Sequence, residues 1–200
     1  MLKYSCKFAI MYRKGLHNMK KRIHIFGASG SGTSSIAKAV CERIGYTHFD
    51  TDNYYWVPTD EPFTVAKPET ERVAMMNRDL GECEKWVNSG SLIRWGNELI
   101  PLFDLVVFVY VPSDVRVERL KNREYERYGD AVLPGGRRYE STLEFIDWAA
   151  SYDAGNMTGR NLANHEKWLE NITCDVLKIE NIIFKDSVNA VIDAIKKERE

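Results

Sequence analysis

The sequence predicts an α/β doubly wound fold, five parallel strands layered between helices, and three observations carry that reading. Short apolar runs alternate with stretches of helical period from Arg22 onward. One of those runs, Leu105–Val111, is seven apolar residues without alternation, as expected of a strand buried on both faces of a parallel sheet. A glycine-rich turn stands between the first strand and the first helix.

Taken in order, Ile23–Phe26 reads as the first strand. The helix after the turn, about Thr33 to Arg43, gathers Ile36, Ala37, Val40 and Ile44 on one face, and Gly45 is placed to cap its C-terminus. Tyr46–Phe49 is the second strand. A polar stretch with Pro58, Pro62 and Pro68 leads into a helix expected over about Glu69–Asn88, where Val73, Met76, Leu80, Cys83 and Val87 step by three and four. Ser91–Trp95 is the expected third strand and Leu105–Val111 the fourth, closed by Pro112. Ser113 is placed to cap a helix reaching about Arg127. Helical patterns at about 140–153 and 157–170 follow a glycine-bearing segment. Val176–Ile179 is the fifth strand, and the last helix sets Val188, Val191, Ile192 and Ile195 on one face.

The composition bounds the function. Two hundred residues with 44% hydrophobic content fit one domain with a real core. The 28 basic and 29 acidic residues nearly cancel, so bulk nucleic-acid binding is not expected. Cys6, Cys41, Cys83 and Cys174 are isolated, which reads as reduced thiols in a cytoplasmic protein rather than a disulfide framework or zinc site. No apolar stretch approaches the ~20 residues of a membrane span. Residues 1–18 carry Lys3, Lys7, Arg13 and Lys14 and no acid, with no unbroken apolar core for a signal peptide. They are expected to be an N-terminal extension outside a domain spanning 19–200; a basic amphipathic docking or targeting segment is the alternative.

The chemistry concentrates in Gly27-Ala28-Ser29-Gly30-Ser31-Gly32-Thr33-Ser34. Its small residues let successive backbone N–H groups turn inward as an anion cradle, and the helix that follows points its positive end there. The spacing fits G-x-x-x-x-G-K-[ST] with one departure: Thr33 stands where a lysine is expected. Ser34 holds the position whose hydroxyl ligates Mg²⁺ in such loops. An ordinary glycine turn is the bland alternative. The second strand ends at Asp50-Thr51-Asp52, two carboxylates that can project toward the same end of the sheet, or else a turn satisfying backbone donors. Arg94 is the cation at the end of the expected third strand, with a surface role stacked on Trp95 as the alternative. Asp104 falls at the opposite end of the sheet and reads as structural. His24, His48, Trp56, Trp86, Trp148 and Trp168 read as core or edge residues.

Over about residues 20–197 the chain resembles the P-loop small-molecule kinases, the superfamily of adenylate kinase, other nucleoside-monophosphate kinases and shikimate kinase. The Gly-Thr-Ser ending of the loop also resembles that of archaeal cytidylate kinases. The resemblance implies a P-loop NTPase three-layer fold with a five-stranded parallel sheet and a small helical lid after strand four, about 125–140. It implies Mg-ATP as donor and transfer of the γ-phosphoryl to a small acceptor, a nucleoside monophosphate or a small hydroxyl compound. A nucleotide-binding regulator without efficient turnover is the alternative that Thr33 keeps open. The Asp pair resembles that of shikimate-kinase-like enzymes, which implies Asp52 as catalytic and metal-holding and Asp50 as acceptor-binding. The arginine just after strand two of monophosphate kinases has no counterpart, since no Arg lies between Arg43 and Arg72.

Arg116, Arg119, Arg123 and Arg127 step by three and four along one helix, and Arg137 and Arg138 follow. Salt bridges along the helix are the plain explanation of such a stripe, yet no acid lies three or four residues from Arg119. The resemblance places arginines here against the donor's phosphates and adenine, and another on the next helix, where Arg160 stands. Arg119 and Arg123 are accordingly the expected transition-state stabilisers, Arg94 and Arg160 the substrate-binding cations, and Gly129, Gly135 and Gly136 the hinges. A monomer or homodimer is expected, with no nucleic-acid or membrane partner.

Overall fold

A computed structural model describes residues 19–155 and 159–197; the expectation for residues 1–18 lies outside them. The strands are β1 (Arg22–Gly27), β2 (Thr47–Asp50), β3 (Trp86–Ser89), β4 (Leu105–Tyr110) and β5 (Asp175–Glu180). The helices are α1 (Thr33–Ile44), α2 (Thr51–Tyr55), α3 (Glu69–Gly81), α4 (Ser113–Tyr128), α5 (Tyr139–Ala150), α6 (Leu162–Leu169) and α7 (Phe184–Lys196). The strands form one sheet in the order β2-β3-β1-β4-β5. Every pairing is parallel.

Alternation along β1 shows how the sequence builds the layers. Ile23 and Ile25 face one cluster with Ile36, Val40, Val107, Val109, Val188, Val191 and Ile195, so α1 and α7 cover that side. Phe26 faces the other, with Val73, Met76, Leu80, Trp86, Phe103, Phe108 and Trp168 from α3, the neighbouring strands and α6. Gly45 takes a left-handed φ of 73° and donates its N–H to the Cys41 carbonyl, ending α1 as its position suggests.

The third strand differs from expectation. The helix expected to run to Asn88 stops at Gly81, and Trp86–Ser89 is β3, fully buried. Val87 keeps the three-and-four spacing of the helix by coincidence; its place is beside Ile23 and His48 in the sheet. Cys83 lies in the intervening turn, with its Sγ 3.2 Å from the Thr47 hydroxyl. Residues 91–95 are a turn rather than a strand. The N–H groups of Trp95 and Gly96 donate to the Leu92 carbonyl, and Leu92 and Trp95 are buried from within that turn.

Smaller differences have local causes. The short α2 begins because the Asp50 carboxylate accepts from the Asp52 N–H at 3.1 Å. The pattern at 157–170 becomes a helix only from Leu162, where Asn161 caps it by accepting the Asn164 N–H. Ser113 does not cap α4; its hydroxyl donates to the Ala150 carbonyl and ties α4 to the end of α5. Asp104 accepts from the N–H groups of Lys21 and Arg22 at the N-terminal edge of the sheet, away from the glycine-rich turn. No helix among the described residues is long and apolar enough to cross a membrane.

Candidate phosphate loop and acceptor cleft

Residues 27–34 join the C-terminal end of β1 to the N-terminus of α1. Gly30 and Gly32 hold left-handed φ values of 81° and 86°, which a residue with a side chain rarely adopts. The surrounding protein presses on both: a Cβ at Gly30 would lie 2.7 Å from the Arg116 carbonyl oxygen, and one at Gly32 the same distance from the Asn181 amide nitrogen. These glycines are therefore required by packing before any ligand is considered. No side chain caps α1, so its leading N–H groups face the loop without a capping acceptor.

Asn181, just past β5, is a residue that sequence reading did not single out. It is buried, donates its Nδ2–H to the Ser31 carbonyl at 2.8 Å, and accepts the Ser187 hydroxyl at 3.0 Å. Its N–H reaches the Tyr110 carbonyl, and its own carbonyl accepts from Arg119 Nη2 at 2.9 Å. Arg119 is thus engaged with the frame of the loop. Only the spacing of Asn181 behind the fifth strand hinted at this, and spacing alone does not distinguish it from a turn asparagine.

On the other side of the cleft, Asp50 ends β2 and Asp52 opens α2. Asp52 is exposed at the surface, yet protein lies close enough around its carboxyl to act on it. That crowding, followed by the charge of Asp50, pushes its carboxyl above the usual carboxylate range, while Arg160 and Arg123 act in the opposite sense. His48 has more to do than fill an edge. Its Nε2 is 2.9 Å from the Ser89 Oγ, which in turn donates to the Ser34 Oγ at 3.3 Å. A polar chain from β2 through β3 thereby reaches the loop serine. Among the described residues there is no cluster of three or more His, Cys, Asp or Glu suited to a metal. The oxygen donors that could hold a divalent cation are Ser34, Asp50 and Asp52, of which Asp50 also accepts from the Asp52 N–H.

The arginines divide into two groups. Arg116, fully buried, donates to the Val111 and Ala149 carbonyls and pairs with Asp153 at 2.7 Å, so it clamps α4 to the end of α5. Arg123 pairs with the adjacent Glu124 at 2.7 Å and lies over the Phe145 ring. Arg127 is 3.8 Å from the same carboxylate. The stripe of like charge is therefore relieved largely from within, by Glu124, Asp153 and backbone carbonyls. Arg137 and Arg138 both reach Glu61, so the segment after α4 touches the loop before α3.

The second group, Arg160, Arg94 and Arg72, has no carboxylate within salt-bridge distance among the described residues. Arg160 donates to the Ser29 hydroxyl at 3.1 Å, lies over the Trp148 ring, and is close enough to Asp52 and Arg123 for their charges to act on it. Arg94 occupies a left-handed φ of 70°, uncommon for a residue with a side chain, and extends past Gly159. Arg72 on α3 is only 8% exposed, with its guanidinium 4.2 Å from the Tyr55 ring centre and 5.1 Å from that of Trp95. Among the described residues its Nε and Nη1 have no hydrogen-bond partner. A buried guanidinium with N–H groups unmet is costly, and an anion is what would meet them. In the sequence, Arg72 looked like one more charge on a helix.

The structure thus brings together Ser29, Ser34, Asp50, Asp52, Arg123 and Arg160 at one end of the sheet, with Arg94 at the margin and Arg119 behind the loop. No protein-family model matches the chain. It is 46% identical over 177 residues to a protein of Bacillus subtilis (strain 168) described as "Uncharacterized protein YqaC", covering 88% of this chain and 96% of that one. Among solved structures, shikimate kinase from Bacteroides thetaiotaomicron superposes with a TM-score of 0.54 at 17% identity, over 89% of this chain and 99% of that one. Shikimate kinase from Acinetobacter baumannii, in complex with shikimate, superposes with a TM-score of 0.52 at 15% identity, over 89% and 94%. At such identity the likeness is one of fold: the five-stranded parallel sheet with flanking helices is the fold of these two shikimate kinases.

Proposed function

The chain belongs to the family of the Bacillus subtilis protein YqaC, and we propose that it is a kinase that moves the γ-phosphoryl of Mg-ATP to the hydroxyl of a small anionic acceptor. One observation carries the reading: a glycine-constrained loop at a helix N-terminus and the Asp50/Asp52 pair meet beyond the C-terminal ends of parallel strands.

In this reading the backbone of residues 27–34 holds the donor's phosphates. Ser34 and the two carboxylates would hold Mg²⁺, which when bound supplies charge neutralisation at the phosphate oxygens. Asp52 takes the proton of the acceptor hydroxyl as that oxygen bonds to the γ-phosphorus. The bond from that phosphorus to the bridging oxygen breaks, and its electron pair leaves on ADP. A carboxyl held above its usual range is tuned in the direction a general base requires. Arg123, within electrostatic reach of Asp52, is the proposed stabiliser of the transferring group. Arg119 acts through Asn181 by keeping the loop in place. Arg72 favours an acceptor bearing a carboxylate or phosphate, which Arg94 would help to retain.

A regulator that binds nucleotide without efficient turnover is favoured by one feature, Thr33 in place of the loop lysine. ADP release over a panel of hydroxy acids, sugar acids and nucleoside monophosphates separates the two. The kinase reading expects release that depends on one acceptor class and is lost in Asp52→Asn. ATP binding without acceptor-stimulated release supports the regulator.

A further inference from the structure

Thr33 leaves the phosphate loop without a cation of its own, and the neighbouring lysines do not make up the loss. Lys20 is spent on the Ala194 and Lys197 carbonyls and on Asp175 at the far end of the sheet. Lys21 pairs with Glu84 there. Lys38 is exposed on the body of α1. The cation that does touch the loop comes from 126 residues further along the chain than Ser34: Arg160, whose Nη2 donates to the Ser29 hydroxyl.

Its setting fixes the guanidinium over the loop. The side chain rests on the Trp148 ring at 4.9 Å, and Gly159 before it takes a φ of 92°. Ser29 engages one of several N–H donors, and no carboxylate lies within salt-bridge distance of Arg160 among the described residues. Asp52 acts on it from across the cleft without neutralising it by contact. A guanidinium held this way keeps a planar fork of donors for phosphate oxygens, geometry that an ammonium lacks.

We propose that Arg160 replaces the loop lysine, so that the positive charge met by the donor's β- and γ-phosphates is carried by this arginine seated on Ser29. The inference rests on the kinase reading and moves Arg160 from the acceptor to the donor.

The test is the calorimetric affinity for Mg-ATP of the full chain, of Arg160→Ala, of Thr33→Lys and of the double variant. Loss of a charged donor to phosphate is expected to weaken ATP about tenfold or more in Arg160→Ala. Thr33→Lys is expected to recover most of that loss in the Arg160→Ala background and to gain several-fold less in the wild type. Arg160→Gln, which keeps part of the stem but removes both the charge and the guanidinium that lies over Trp148, carries the same expectation as Arg160→Ala. Wild-type affinity in Arg160→Gln, or the same factor from Thr33→Lys in both backgrounds, overturns the inference and leaves the kinase reading standing. A wild type that does not bind Mg-ATP overturns both.

Discussion

The two sides of the proposed site, donor loop and acceptor wall, are built differently. On the donor side most polar ties are met by protein: the Ser31 carbonyl and Arg119 by Asn181 and the Ser34 hydroxyl by Ser89, with Gly30 packed against the Arg116 carbonyl, although the buried Ser31 hydroxyl has no partner among the described residues. On the acceptor side Arg72 keeps two buried N–H groups unmet, Arg94 sits in a left-handed backbone conformation, and Asp52 is crowded by Asp50. A loop that binds a common donor gains from being pre-formed. A wall that selects one acceptor leaves its partners to be supplied by that acceptor.

The largest effect that would sharpen this contrast is at Asp52. Asp52→Asn is expected to lower kcat by about a hundredfold or more while ATP affinity holds within a few-fold. Equal small effects on both would reduce the pair to a cap for α2. Next comes Arg72→Met, which fills similar volume without charge. The KM of the acceptor is expected to rise about tenfold or more, with thermal stability kept or raised because unmet buried N–H groups are removed. A fall in stability with unchanged KM would make Arg72 a structural residue.

On the donor side Gly32→Val tests pre-formation. A Cβ there meets Asn181 and the backbone is left-handed, so a drop in Tm is expected before any nucleotide is added. An unchanged Tm with lost ATP affinity would show a loop shaped for the ligand alone. A separate effect, on acid stability, belongs to the core rather than to either side of the site. Burial lowers His24 and His165 from 6.5 to about 3, so unfolding takes up protons between those values. Their contribution is full above pH 6.5 and is lost as pH falls toward 3, at up to about 1.4 kcal/mol per pH unit each. Urea unfolding at a series of pH values reads this directly; a flat stability between pH about 6.5 and about 4.5 would contradict it.

The same contrast explains what the sequence could reveal. The glycine-rich loop between strand and helix was legible from its small residues at fixed spacing, and Gly30 and Gly32 do take left-handed φ there. The two-faced burial of β4 was legible from an unbroken apolar run. Strand β3 was not, because Cys83 and Val87 prolong the helical period of α3 past its true end at Gly81. Sheet pairing with Ile23 and His48 outweighed local pattern there. Asn181 and Arg72 were hidden for a different reason: their significance lies in partners far along the chain, or in the lack of them, and neither leaves a periodic trace. The arginine stripe was legible as like charge, but its partners were only partly so: Glu124 lies next to Arg123 and one helical turn from Arg127, while Asp153 lies beyond α5.

The most direct test of the central claim is phosphorus NMR of the products formed from Mg-ATP and the acceptor panel by the wild type and Asp52→Asn. The account expects a phosphate monoester on the hydroxyl of a carboxylate- or phosphate-bearing acceptor, formed with one ADP per transfer and absent from Asp52→Asn. A new phosphoanhydride formed equally well by Asp52→Asn, or ATP left intact with every acceptor, would contradict it.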